Sequence, residues 1–251
     1  MSEPTIHLSI IIPAYNEETR LPKTLDAVCA YLSKQSYTYE VIVVENDSQD
    51  RTLEIAREYE KNYPFVWAIH EDERGKGLAI RRGMLLAKGY YRFMCDADLS
   101  MPIEELSRFL APENSEADII IGSREAAGAQ RFDEPASRHL GGRLVNYAIQ
   151  LLALPGLHDT QCGFKLFTAE AAEDLFCVQT LSGWSFDIEL LFVARRRGYT
   201  IKEIGIPWKY FAFSHVSPVK DAIRMISDIF KIRSNSLFGV YAKKPQTDTC
   251  P

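Results

Sequence analysis

The chain has 251 residues, 46% hydrophobic and 25% charged, with a formal net charge of -5. This is the composition of a folded domain with a sizeable core, and the acidic balance argues against a general attraction to nucleic acid. No apolar run reaches the roughly 20 residues a spanning helix needs, and Cys29, Cys95, Cys162, Cys177 and Cys250 form an odd set without a CxxC pair. With no signal peptide in the short 6–12 run, those cysteines point to a reducing cytoplasm rather than a disulfide framework.

In chain order, a β-rich run at 6–12 is closed by Pro13, and 21–33 has the apolar spacing of a helix. Strands follow at 39–44, 65–70, 90–95 and 118–122, separated by helices at 50–63, 77–88 and 102–110. Strands alternating with helices imply right-handed βαβ units and a mostly parallel α/β sheet. The second half is less regular: a helix at 138–154 stopped by Pro155-Gly156, a polar turn at 158–165, helices at 169–176 and 185–198, a strand at 199–207. Without repeats or a linker, residues 1–241 read as one domain, with a donor-binding half over about 1–124 and an acceptor half over about 125–241. Residues 242–251 read as a disordered tail.

Ligands of such sheets bind beyond the carboxyl ends of the strands. Polar groups fall there four times: Asn16-Glu17, Glu45-Asn46-Asp47, Asp96-Ala97-Asp98 and Ser123-Arg124. Two aspartates flanking one small residue can present oxygens to a hard cation, Mg²⁺ or Mn²⁺, which completes its shell with phosphate and water. Alone, such a triplet more often caps the next helix; its surroundings reverse that order.

Pro13-Ala14-Tyr15-Asn16-Glu17, Glu45-Asn46-Asp47-Ser48, Arg74-Gly75-Lys76-Gly77 and Asp96-Ala97-Asp98-Leu99-Ser100 follow one another in an order that resembles the family 2 glycosyltransferases. The segments 121–124, 158–167 and 184–191 are similar to the dolichyl-phosphate β-glucosyltransferase branch, kin of the dolichyl-phosphate mannose synthases. The resemblance runs over about 6–235. It implies the GT-A fold, a Rossmann-like sheet flanked by helices, and a nucleotide-sugar donor, with UDP-glucose the expectation. It also implies a donor cleft in which Pro13, Ala14, Tyr15 and Glu17 meet base and ribose. Glu45 and Asn46 would read the pyrimidine, Gly75-Lys76 would close over the nucleoside, and Asp96, Ala97 and Asp98 would border the diphosphate, with Asp96 and Asp98 on the metal. Glu45-Asn46-Asp47 departs from the family's usual Asp-Asp-Gly.

The acceptor implied is a polyprenyl monophosphate, largely dianionic at neutral pH because its second pKa is near ~6, so a strong base is unnecessary. Ser123, Arg124, Arg138 and Arg143 are the candidates for gripping it, since guanidinium holds phosphate bidentately. Lys209 and His215, on a loop that in relatives often reaches the donor diphosphate, are further phosphate contacts. Asp98, Asp159 and Arg124 are the catalytic candidates. Asp159 is open to three roles: base for a hydroxyl acceptor, orienter of the acceptor, or neighbour of the metal. His158 and Cys162 have the spacing of a metal pair, against which stands a packed thiol. Trp184 and Phe186 read as core before sugar contacts, and Arg195-Arg196-Arg197 as a solvated helix end.

At 219–232, Val219, Ala222, Ile223, Ile226, Ile229 and Phe230 share one helical face ringed by Lys220, Arg224, Lys231 and Arg233. This is either a helix packed on the domain or an amphipathic helix in a membrane interface. The latter makes the protein peripheral on the cytoplasmic face of a membrane. Two rival functions remain: transfer to a soluble glycan or other hydroxyl, and a nucleotide-binding module without catalysis.

Overall fold

The structure, a computed structural model, describes residues 6–210 and 218–242. In chain order its elements are β1 (Ile6–Ala14), α1 (Leu21–Leu32), β2 (Tyr39–Asn46), α2 (Thr52–Asn62), β3 (Val66–Glu71), α3 (Lys76–Leu86) and β4 (Gly89–Met94). Then come α4 (Leu106–Phe109), β5 (Ile119–Ser123), β6 (Gln130–Phe132), α5 (Ala136–Leu152), β7 (Lys165–Thr168), α6 (Ala169–Cys177), α7 (Phe186–Arg196), β8 (Ile201–Gly205), β9 (Pro207–Lys209) and α8 (Pro218–Leu237).

Seven strands form one sheet in the order β3-β2-β1-β4-β7-β5-β8, and β6 pairs with β9 apart from it. The α/β architecture of the expectation stands: β1, β2, β3 and β4 pair in parallel, as do β5 and β8. β7, unforeseen between the polar turn and the helix that follows it, pairs antiparallel with both β4 and β5. It therefore inserts residues 165–168 between two strands of the first 124 residues, so both parts of the chain share one sheet. The strand expected over 199–207 divides at Ile206 into β8 and β9. The chain visits β1, β2 and β3 outward, then returns to place β4 on the other side of β1. That reversal opens a crevice past the carboxyl ends of β1 and β4.

β1 and β2 are buried on both faces, which is why they read as unbroken runs of Ile and Val. One face packs Ile11, Ile42, Val44 and Met94 against α3, α6 and α7; the other packs Ile10, Ile12, Val43 and Phe93 against α1 and α2. Phe93, Phe109 and Phe164 meet edge to face, the Phe93 and Phe164 centroids 4.9 Å apart. Cys29, Cys95 and Cys162 are free and buried.

α8 sorts its apolar residues onto two faces, not one. Met225, Ile229 and Ile232 are buried in the core, while Ile223 (66%), Ile226 (43%) and Phe230 (60%) are exposed. Tyr147 and Leu151 of α5 are also exposed. The side chains of Val219, Lys220 and Ala222, and residues 243–251, lie outside the described residues. Among the described residues no helix is long and apolar enough to cross a membrane.

Phe164 links β7's approach to the core at full burial. Phe164→Ala is expected to lower the unfolding free energy by about 3–5 kcal/mol, read from urea denaturation followed by circular dichroism.

Candidate active site

The crevice is floored by the end of β4. There Thr24 Oγ1 of α1 donates to the Ala97 carbonyl at 2.6 Å, fixing the turn between the two aspartates. Asp98 Oδ1 accepts from the backbone N–H and the hydroxyl of Ser100, both at 2.9 Å. Leu99 between them takes a positive φ of 44°. Lys76, first residue of α3, brings Nζ to 2.6 Å from Asp96 Oδ1. A Cβ at Gly163 would stand 2.0 Å from Asp96 Oδ2, so only glycine leaves room for this carboxylate. Arg20 lies 3.9 Å from Asp98 and is held there by Glu17, which accepts from its Nε at 2.5 Å. Burial raises the Glu17 pKa, Arg20 opposes the rise, and Asp98 and Asp96 add to it. For Lys76, burial acts to lower the pKa, but Asp96 and Asp187 outweigh it and the ammonium is held protonated.

Pro13 and Ala14 are buried at the end of β1, and the Arg74 guanidinium stands 4.2 Å from the centre of the Tyr15 ring. Glu45 is fully enclosed, its two oxygens engaged by the Ser48 N–H at 2.5 Å and by His70 Nδ1 at 2.6 Å. Asn46, with its amide oriented to meet complementary partners, donates to the Ala14 carbonyl (3.1 Å) and accepts from the Gly75 N–H (2.9 Å). It straps the β1 end to the Gly75-Lys76 loop. These contacts of Glu45 and Asn46 shape the crevice, which composition and spacing alone do not reveal.

Behind that loop lies residues 179–184. Gly77 N–H donates to the Ser182 carbonyl at 2.8 Å, and Cβ atoms at Gly75 and Gly77 would fall 2.6 and 2.8 Å from backbone oxygens of this segment. Glu189 of α7, fully buried, holds the segment by accepting from the N–H groups of Thr180 and Leu181 and from the Tyr241 hydroxyl at 2.7 Å. Trp184 is not core: it is 42% exposed, with the Lys76 ammonium 4.9 Å from its ring, whereas Phe186 is buried. Lys165 is buried and pairs with Asp187 at 2.8 Å.

At the end of β5, Arg124 meets Asp159 through Nε at 2.6 Å and a terminal nitrogen at 2.8 Å, and Asp159 also accepts the Arg124 backbone N–H. Asp159 is fully buried; burial acts to raise its carboxyl, but Arg124 prevails and holds it below the usual carboxylate range. Glu203 fixes this corner by accepting from the N–H groups of His158 and Asp159. His158 also reaches Glu203, and Cys162 is buried beside Met101, so the two form no metal pair.

The phosphate candidates separate. Ser123 is buried and accepts from the Ala126 N–H. Arg143 lines a polar cleft of about 320 Å³ with Asn146, Tyr147, Gln150 and the chain neighbours of the Arg124–Asp159 pair, Glu125 and His158. Lys209 borders a different, more apolar cleft of about 380 Å³ with Leu99, Ser100 and Phe132. His215 and the side chain of Arg138 lie outside the described residues. Arg195 and Arg197 donate to carbonyls of Pro155, Asp174 and Tyr241 and serve packing.

Because the folded Asp159 pKa is lowered, its contribution to stability is complete above about pH 4 and is lost as pH falls through the folded value. Asp159→Asn is expected to cost about 3–5 kcal/mol at neutral pH and to flatten the acid limb of stability, measured as urea midpoints from pH 6 to pH 3.

The glycosyl transferase family 2 model matches residues 9–176. The dolichyl-phosphate beta-glucosyltransferase of Dictyostelium discoideum is 33% identical over 255 residues, covering 95% of this chain and 77% of that protein. Those of Drosophila melanogaster and Homo sapiens are 36% and 34% identical, each covering 95% of this chain and 78% of the relative. Among solved structures, glucosyl-3-phosphoglycerate synthase from Mycobacterium tuberculosis, in complex with Mn²⁺, UDP-glucose and phosphoglyceric acid, superposes with a TM-score of 0.64. The two are 16% identical, covering 96% of this chain and 81% of that one. Mannosyl-3-phosphoglycerate synthase from Rubrobacter xylanophilus gives 0.64 at 16% identity, covering 97% and 77%. These likenesses establish the GT-A fold, and with the profile and the relatives they make the chain a glycosyltransferase of family 2.

Proposed function

We propose that this glycosyltransferase moves glucose from UDP-glucose to dolichyl or a similar polyprenyl monophosphate, with inversion, using a divalent cation at the cytoplasmic face of a membrane. The donor side rests on one observation: the paired carboxylates Asp96 and Asp98 stand at the β1–β4 crevice with Lys76 and Arg20 beside them. The acceptor side rests on the names of the relatives at 33–36% identity.

The donor set suits Mg²⁺ or Mn²⁺, being two hard carboxylates whose side chains are 32% and 27% exposed. Among the described residues no third His, Cys, Asp or Glu joins them in a metal-binding group, which leaves positions for diphosphate oxygens and water. When bound, the cation neutralises charge that builds on a departing diphosphate. Lys76 and Arg20 add positive charge on the same side, and Trp184 offers a flat, half-exposed wall.

An acceptor phosphate oxygen attacks the anomeric carbon as the bond to UDP breaks on the opposite face. The nucleophile is already ionised, so no proton has to be removed. Arg124 orients it through the guanidinium nitrogen that Asp159 does not use. Asp159 has both oxygens committed and acts through Arg124, as a positioning residue rather than a base. Arg143, in the polar cleft next to this pair, is the second cation for the phosphate. The exposed Ile223, Ile226 and Phe230 of α8 supply an apolar face for a lipid surface.

With UDP-glucose, a short polyprenyl phosphate and Mg²⁺ or Mn²⁺, mass spectrometry is expected to detect the glucosyl phospholipid. Asp98→Asn should lower kcat/KM by about 10²-fold or more; intact metal-dependent transfer in that variant, or transfer only to soluble hydroxyls, contradicts the reading. Phe230→Glu with Ile226→Glu is expected to abolish flotation with vesicles containing anionic lipid while leaving the circular dichroism spectrum unchanged.

A further inference from the structure

Lys76 and a divalent cation have claims on the same atom. The Lys76 ammonium lies 2.6 Å from Asp96 Oδ1, on a side chain only 16% exposed. An ammonium at hydrogen-bond distance and a doubly charged ion cannot share one carboxylate oxygen without strong repulsion. One of the two has to move. Asp96 is hemmed in, because its Oδ2 fills the space where a side chain at residue 163 would begin. Lys76 is the mobile partner, with a compact charge on a four-carbon stem. Its backbone stays in place, since the Gly77 N–H is anchored on Ser182. Next to it lie the face of Trp184 at 4.9 Å and the negative field of Asp187.

We propose that Lys76 is an exchangeable occupant of the metal site, and that a nucleoside diphosphate makes the exchange favourable by giving the displaced ammonium a new anionic partner. Cation and nucleotide then bind together, and either alone binds poorly. Two carboxylates hold a divalent ion weakly by themselves, and Arg20 near Asp98 weakens the hold further. The same lysine that opposes the bare cation supports the cation–diphosphate complex. The proposal rests on the nucleotide-sugar reading of this crevice and adds to it the residue that couples the two ligands.

Coupling of this kind is reciprocal, so the factor by which UDP tightens Mn²⁺ equals the factor by which Mn²⁺ tightens UDP. The test titrates Mn²⁺ by the electron paramagnetic resonance signal of the free ion, with and without UDP, on the full chain and on Lys76→Met and Lys76→Gln. In the unsubstituted protein UDP is expected to raise Mn²⁺ affinity by about tenfold or more. In both variants Mn²⁺ affinity without UDP is expected to rise by about fivefold or more, and the enhancement by UDP to shrink accordingly. A gain in affinity cannot come from misfolding, and Lys76→Arg is expected to restore weak binding of Mn²⁺ alone. Unchanged UDP-free affinity in both lysine variants, or equal Mn²⁺ affinity with and without UDP in the unsubstituted protein, overturns the exchange. Equilibrium dialysis of labelled UDP at saturating Mg²⁺ separates the two readings. No UDP binding there rejects the nucleotide site itself, whereas UDP binding uncoupled from Mn²⁺ rejects only the role of Lys76.

Discussion

β7 runs against both of its neighbours, and that reversal brings the segment from Asp159 to Phe164 to the edge where β4 ends. The parallel strands on their own would give a crevice lined by loops from one half of the chain. With β7 wedged between β4 and β5, Gly163 lies against Asp96, Phe164 fills the core beneath it, and Asp159 closes on Arg124. A register slip of one residue in β7 would turn Lys165, Leu166 and Phe167 to the opposite faces of the sheet and shift the segment that leads into them. The antiparallel strand therefore sets the site's geometry more than any individual ion pair does.

Charge is organised in pairs throughout this edge: Asp96 with Lys76, Glu17 with Arg20, Lys165 with Asp187, Arg124 with Asp159. Lys165–Asp187 is buried and so is Asp159 of the last pair, and such pairs gain little net stability because desolvation offsets their attraction. Their value here is directional. Arg124 is fixed by three hydrogen bonds, and Asp187 pairs with a buried lysine beneath the crevice. The first two pairs are partly open to solvent, which leaves their members able to change partners.

Much of this was legible in the residues themselves. The Ile- and Val-rich runs of β1 and β2 announced buried parallel strands, and four polar strand ends marked one edge of the sheet. β6 and β7 escaped because they have three and four residues, and β7 opens on a lysine that is buried only because Asp187 waits for it. α8 misled in a different way: apolar residues close in helical angle looked like one face, but among the described residues its neighbours bury Met225, Ile229 and Ile232 and leave Ile223, Ile226 and Phe230 exposed. The partners of Glu45 and Asn46, namely His70, Ala14 and Gly75, come from elements distant in sequence and could not be read from the residues alone. Trp184 had the composition of core, and only the fold could set it beside Lys76.

The hydroxyl of Tyr241, which donates to Glu189 beyond the end of α8, bears on how the protein is made. A chain growing from its N-terminus presents Lys76, Asp96 and Asp98 when more than half of its length is still unsynthesised. Glu189 arrives later, and the tyrosine that helps it hold the 180–182 segment follows 52 residues after it. Nascent domains begin folding before synthesis ends, so the early sheet must wait, its acidic edge formed and its backing incomplete. The backing of the crevice is thus completed only once Tyr241 has been made.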